Sequence, residues 1–488
     1  MTESARTSSR PVAVRPDARR WKALALLCTA NFMVTLDAQI VILALPSIER
    51  ELRLAPGEGQ WVLTGYLLAF GGLLLLGGRL ADLWGRRRVF LAGTMLFGGS
   101  SLLCGLAWSG GMLIAARVVQ GTSAALMAPA ALSILMTTFP EGGERNKALA
   151  FWSGVAALGA TAALLIGGTV VGSLGWQWIF YLNVPVAAAL LVLGPVLVLE
   201  SSDLDRPRAY DPVGAITITA SLVLLIGAIV QAPQAGWTSG QAIGLTGGAA
   251  VLLALFIAVE RRSAAPLVPL RIFRSRLLVG GNLTMAVFAM LGWGTSFTVS
   301  GYAQQVLGLS PLWFGLGATV LTLGAVVGAY AAQAALGRLG IRVVATASML
   351  LLGSGALLLT GVSADGSYLG DVFFGLLVFG PGLGGGTVAA ASAALSAVAE
   401  HNAGVASGTN TAAFQLGGAL GTAIVTSVTV SQAAGSPSPA TLTAGFQAGF
   451  TACVVFAVVG MCAALLLLGT RPARRTAVPA GERSTLEG

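Results

Sequence analysis

Two charged side chains stand where charge is costly. Asp37 lies in NFMVTLDAQIVILALP (31–46) and Arg117 in MLIAARVVQGTSAA (112–125), stretches that are otherwise almost wholly apolar. A charge at the centre of a membrane helix costs about 2.5–3.5 kcal/mol on insertion scales, so it is kept for function or neutralised by a partner. Asp37 precedes Pro46 by nine residues and Arg117 follows Gly111 by six. At 1.5 Å per residue these offsets place the two side chains at depths of roughly 13 and 9 Å. Similar depth predicts an ion pair or a shared water-filled cavity. Burial favours the neutral form of a carboxylic acid, and an adjacent guanidinium favours the carboxylate. A pair exposed alternately to two sides of a membrane can therefore load and release a proton, with Asp37 exchanging it and Arg117 tuning the balance. The bland alternative is a fixed salt bridge joining two helices.

The elements that carry these residues follow from composition. The chain has 488 residues, 55% hydrophobic and only 10% charged, with mean hydropathy +0.83. Soluble domains carry about 25% charged residues, so this composition predicts an all-α integral membrane protein. Fourteen apolar stretches are each long enough to span the hydrocarbon core. An even number places both termini on one side. With that side cytoplasmic, 25 of the 28 Lys and Arg residues fall in cytoplasmic segments, as the positive-inside bias requires. The residues 1–20 show no cleavable signal, so the first span is expected to act as its own anchor. Polar, Pro-broken connections at 200–212 and 260–276 bracket two spans and leave six on either side. The expected plan is 6 + 2 + 6: a tail (1–21), a six-helix half (22–199), a linker with two further spans (200–276), a second six-helix half (277–470) and a tail (471–488). A weak repeat at an offset of 263 relates APAALS (128–133) to ASAALS (391–396) and Asp37 to Ser300. Two halves with a site between them is a transporter plan.

Other chemistry is thinly represented. Cys28, Cys104, Cys453 and Cys462 lie in apolar spans with no C-x-x-C pair, which predicts inert packing residues. His401, beside Glu400, reads as a solvated loop residue. No metal cluster, P-loop or nucleophile–base constellation is recognisable, so neither a cofactor nor an enzyme activity is expected. The net charge of +9 is spread over short loops, with no concentrated basic face for nucleic acid.

Several motifs together resemble the major facilitator superfamily, and within it the fourteen-span drug–proton antiporters. GRLADLWGRRR (78–88) is similar to the superfamily's loop signature between the second and third spans, and RVVQGTSAA (117–125) to its fourth-span pattern. LDAQIVILALP (36–46), GWQWIFYLNVP (175–185), YAQQVLGLSP (302–311) and AGVASGTNTAAFQLGGALG (403–421) resemble motifs of the fourteen-span branch. Ala163-Leu164 stands where exporters carry Gly-Pro in the fifth span, and Gln39 and Ile42 replace the usual Thr and Asn of the first-span motif.

The resemblance implies a proton-coupled exporter of drugs or amphipathic metabolites, in the plasma membrane, working by alternating access and as a monomer. Uptake or lipid transport on the same fold is the nearest alternative; a membrane enzyme or sensor is a more distant one. The resemblance also implies that Gly78, Asp82, Gly85, Arg86 and Arg87 latch the two halves on the inner side. Asp82 and Arg86, four apart, can pair along a helix. Candidate cavity residues are Gln39, Gln120, Thr122, Trp293, Phe297, Tyr302, Gln304, Asn410 and Gln415; polar groups among them could instead be interhelix contacts. Gly121, Gly154, Gly159, Gly167 and Gly168 are expected to pack helices closely. The second half offers no embedded acid, which points to a neutral or weakly charged substrate rather than a dication.

Overall fold

The computed structural model describes residues 18–55, 57–140, 142–201, 211–236, 238–263, 266, 270–396, 398, 403–432 and 438–469. The terminal tails save for residues 18–21, most of the 200–212 connection, and Glu400 and His401 lie outside the described residues. The described chain is helical throughout and holds fourteen helices long and apolar enough to cross a membrane. They are α1 (Ala18–Glu51), α2 (Gln60–Trp84), α3 (Arg86–Gly105), α4 (Gly110–Thr138), α5 (Gly143–Ser173) and α6 (Gln177–Leu197). Next come α7 (Pro212–Ala235), α8 (Gly240–Arg262), α9 (Arg276–Gln305), α10 (Pro311–Leu339) and α11 (Ile341–Leu359). The chain closes with α12 (Tyr368–Ser396), α13 (Ala403–Gln432) and α14 (Pro439–Leu467).

Helix ends follow local chemistry. Ser109, Ser239, Ser275, Ser310 and Ser438 each cap a helix by accepting the backbone N–H three residues on, and Asp211 does the same for α7. Such caps satisfy amide donors that have no partner inside the helix. Gly85 joins α2 to α3 with φ of 102°, a conformation only glycine adopts without strain. Within α6 the helix breaks at Leu182, between Gln177–Tyr181 and Asn183–Leu197. Pro185 has no N–H for the Tyr181 carbonyl, which accounts for the break.

The helices α1–α6 and α9–α14 pack as two bundles, and α7 and α8 lie against one another beside them. The bundles meet along α1 with α9, α2 with α13 and α5 with α10. Glycines set these approaches. A Cβ on Gly315 of α10 would strike the Leu164 carbonyl of α5, and one on Gly71 of α2 would fall 2.9 Å from Gln415 Cβ of α13. Small residues let helices associate in lipid, where no hydrophobic force distinguishes neighbour from solvent. Arg86–Arg88 mark one end of the molecule, its basic end.

Candidate functional site: a buried carboxylate cage in the first bundle

Asp37 and Arg117 meet directly. Arg117 Nη1 donates to Asp37 Oδ2 at 2.6 Å, and both side chains are fully buried. A further residue of α4 and three other helices, α2, α3 and α6, complete the site. Gln120, one turn beyond Arg117 on α4, donates from Nε2 to Asp37 Oδ1 at 2.9 Å, while its Oε1 accepts from Arg117 Nη1 at 2.6 Å. Asn183, at the break in α6, donates to the same Oδ1 at 2.8 Å. Ser101 of α3 accepts from Gln120 at 2.7 Å and from Asn183 at 3.4 Å. Arg117 Nε donates to the Val62 carbonyl of α2 at 2.9 Å. The guanidinium carbon lies 4.2 Å from the Tyr66 ring centroid and 5.7 Å from that of Phe180.

The arrangement has a clear logic. A charge pair in a dry interior is tolerable only when the remaining acceptors and donors are also engaged. Asp37 meets this condition with three donors on two oxygens. Arg117 does not: its Nη2 is buried with no hydrogen-bond partner, as is the Tyr66 hydroxyl. The cage thus holds a satisfied anion beside a cation with one spare donor. All these residues belong to the first bundle, so the pair lies inside one half rather than across the seam.

Sequence reasoning identified Asp37, Arg117 and Gln120 but did not single out Ser101 or Asn183; Tyr66 reads in the sequence as an aromatic for an apolar ligand, whereas its ring lies against the Arg117 guanidinium. A signal for Asn183 was present. It lies six residues into its span, as Arg117 lies seven into α4, so depth alone placed an amide beside the ion pair.

The other candidates separate by location. Trp293 and Phe297 of α9 pack against the core of the first bundle, and Gln415 faces α2, so all three stand at the seam. Trp293 is buried and its Nε1 has no hydrogen-bond partner. Gln304 reaches α1 across the same seam. Tyr302 and Asn410 do not share this position. Tyr302 donates within the second bundle to Asp371 Oδ2 at 2.6 Å and the Ser363 carbonyl at 2.7 Å. Asn410 donates to Asn282 at 3.1 Å, also within the second bundle. Thr122 spends its hydroxyl on the Val118 carbonyl of its own helix, and Gln39 is half-buried on α1.

The glycines divide as well. A Cβ on Gly121 would meet the Tyr66 carbonyl, one on Gly159 the Phe32 carbonyl at 3.2 Å, one on Gly167 the Ile40 side chain at 2.6 Å and one on Gly168 the Pro311 carbonyl at 2.6 Å. Gly154 departs from the packing expectation: a Cβ there would meet nothing within 4 Å. Its face of α5 is unopposed, so no close approach requires it.

In the loop motif, Arg86 Nη2 pairs with Asp82 Oδ1 at 3.0 Å, not along a continuous helix but across the break at Gly85, from the first residue of α3 to the last turn of α2. Arg87 and Arg88 lie 3.8 and 3.6 Å from Glu200 at the end of α6, and Glu200 Oε1 also accepts from the Arg87 amide at 3.1 Å. Gly85 is needed where it stands because its φ of 102° would strain any residue with a Cβ. A Cβ on Gly78 would make only ordinary contact with Pro129 of α4, at 3.6 Å. These contacts tie the loop to its own bundle.

Comparison with known proteins agrees with this architecture. Residues 27–422 match the family model of the Major Facilitator Superfamily. The puromycin resistance protein pur8 of Streptomyces alboniger is 37% identical over 408 residues, 83% of this chain and 81% of that protein. The lincomycin resistance protein of Streptomyces lincolnensis is 36% identical, covering 86% of each chain. The multidrug resistance protein Stp of Mycobacterium tuberculosis is 36% identical, covering 82% of this chain and 74% of that one. Among solved structures, a peptide transporter POT in complex with sulfate superposes with a TM-score of 0.67 at 19% identity, over 92% of this chain and 96% of that one. At that identity the likeness concerns the fold. With fourteen membrane helices, a match over most of its length and antibiotic-resistance relatives, this multi-pass membrane protein is a transporter of the Major Facilitator Superfamily.

Proposed function

We propose that the protein exports neutral or weakly charged amphipathic drugs or metabolites in exchange for protons, by alternating access between its two bundles. The observation that carries this reading is the cage around Asp37. It is an isolated, fully buried carboxylate with both oxygens engaged, beside a guanidinium that keeps one unpartnered donor. Protonating Asp37 removes the charge that Arg117, Gln120 and Asn183 converge on. Arg117 must then seek another acceptor, and α1, α4 and α6 lose the contact that fixes their relative positions. A proton is thereby exchanged for a change in helix packing, which is the coupling an antiporter needs. The relatives named for resistance to puromycin and lincomycin support export as the direction.

The basic end is assigned to the cytoplasm by the positive-inside bias. Residues 22–199 and 277–470 act as the two moving halves, with 200–276 as an accessory linker. The substrate site is assigned to the seam, where Trp293, Phe297 and Gln415 gather. The unpartnered indole N–H of Trp293 suits an acceptor on an otherwise apolar ligand. The function requires a monomer only. Reconstitution in liposomes under an imposed pH gradient tests the reading. Drug should move against its gradient, proton flux should accompany it, and Asp37→Asn should abolish both. Transport that is unaffected by the gradient, or retained at full rate in Asp37→Asn, would rule it out.

A further inference from the structure

Pro46 lies inside α1 and has no N–H. The carbonyl of Ile42, four residues earlier, therefore lacks its ordinary helical donor. It is met from the other bundle, where Ser300 Oγ of α9 donates to it at 3.0 Å. Gln304, one turn further along α9, donates from Nε2 to the Leu43 carbonyl at 3.3 Å and to Ser300 Oγ at 2.9 Å. The Leu43 side chain is fully buried in the apolar core of the second bundle, beside Val299, Phe314 and Ala318. Immediately around it α5 and α10 are in backbone contact, through Gly168 on Leu312 and Gly315 on Leu164. Every one of these contacts lies toward the end opposite the basic loops.

We infer that Pro46, Ser300 and Gln304 form a reversible latch that holds the two bundles closed at the end opposite the basic loops. The inference rests on the alternating-access reading above. Proline gives the latch its reversibility. In an uninterrupted helix the Ile42 carbonyl would already be paired, and a bond from Ser300 would add little. With proline at position 46 the closed state satisfies a carbonyl that is otherwise short of a donor, and water can satisfy it once the bundles part. Opening therefore exchanges one hydrogen bond for another, with a small net preference for closure. The latch sits on the helix that carries Asp37. Ile42 is five residues from it, roughly 7–8 Å along the same axis. A movement of α1 that follows a change at Asp37 thus reaches the latch through a rigid element. Ser300 also occupies the position that the 263-residue offset relates to Asp37: a charged residue in one half, a neutral hydroxyl reaching back onto α1 in the other.

Spin labels at Ser173→Cys and Gln305→Cys, two exposed positions where α5 and α9 end, report the separation of the bundles at this end. The full-length chain is used in lipid nanodiscs with its four native cysteines replaced. Wild type should show a short and a long distance whose ratio changes with pH. Ser300→Ala and Pro46→Ala should each raise the ratio of long to short about three- to tenfold, the span a net hydrogen bond commands. Pro46→Ala removes no donor and restores the helical N–H, so its effect is not one of misfolding. Ser300→Thr, which keeps the hydroxyl, should stay nearer to wild type than Ser300→Ala. Two wild-type populations whose ratio neither substitution alters would overturn the latch while leaving alternating access intact. A single wild-type distance at every pH would overturn both.

Discussion

Asn183 completes the coordination of Asp37: its side-chain amide lies 2.8 Å from Asp37 Oδ1, although 146 positions separate the two in the chain. The amide is buried and reaches the carboxylate because α6 breaks just before it. A hydrogen bond to a charged acceptor contributes about 1.5–3 kcal/mol. Asn183→Ala should therefore lower thermal stability measurably in detergent, by more than a substitution at the exposed Val192. It should also slow proton-driven transport in liposomes. Unchanged stability and unchanged transport together would show that the amide is dispensable to the cage.

Breaking the ion pair from one side should be worse than removing both charges. Removing one partner of a buried pair typically costs about 3–5 kcal/mol, because the other charge stays buried alone. Asp37→Asn and Arg117→Gln should each destabilise the protein, and the double variant should recover part of the loss. Transport should not recover in the double variant, since no ionisable carboxylate remains in the cage. A double-mutant cycle on thermal stability, paired with flux assays, separates the two effects. Additive stability losses, or transport regained without a carboxylate, would contradict this assignment.

Two glycines offer a contrast within one fold. A methyl group on Gly121 would enter the Tyr66 carbonyl, where α4 crosses α2 beside the cage. Overpacking of this kind costs about 1–3 kcal/mol. Gly154 faces open space, and replacing a helical glycine with alanine there should stabilise by about 0.5–1 kcal/mol. Melting curves of Gly121→Ala and Gly154→Ala should shift in opposite directions.

Trp293 should discriminate among substrates through its indole N–H. Trp293→Phe keeps an aromatic ring at the seam and removes the donor. The expected result is about a three- to tenfold rise in KM for ligands with a hydrogen-bond acceptor and little change for purely apolar ones. Competition assays on wild type should also rank neutral or singly charged amphiphiles above quaternary dications. A preference for dications would refute the charge assignment.

The fold was legible early because lipid imposes a simple rule. Every backbone polar group in the hydrocarbon must be satisfied internally, so long apolar runs become helices. Gly85 and the serine caps were equally local, since each answers to its own backbone. Asp37 and Arg117 were legible because charge in an apolar span is costly and their depths matched. Tertiary packing decided matters that depth does not encode: which face of each helix points inward and which helices touch. It placed Asn183 against Asp37 and Ser101 against Gln120 and Asn183, turned Tyr302 into its own bundle and left Gly154 unopposed. It also set Ser300 against the carbonyl that Pro46 leaves without a helical donor. The sequence by itself determined the number of helices, their family and the presence of one costly charge pair, because these depend on residue type and spacing along the chain. Only the tertiary structure decided what surrounds the pair, because rotation and contact of helices are settled by side chains far apart in sequence.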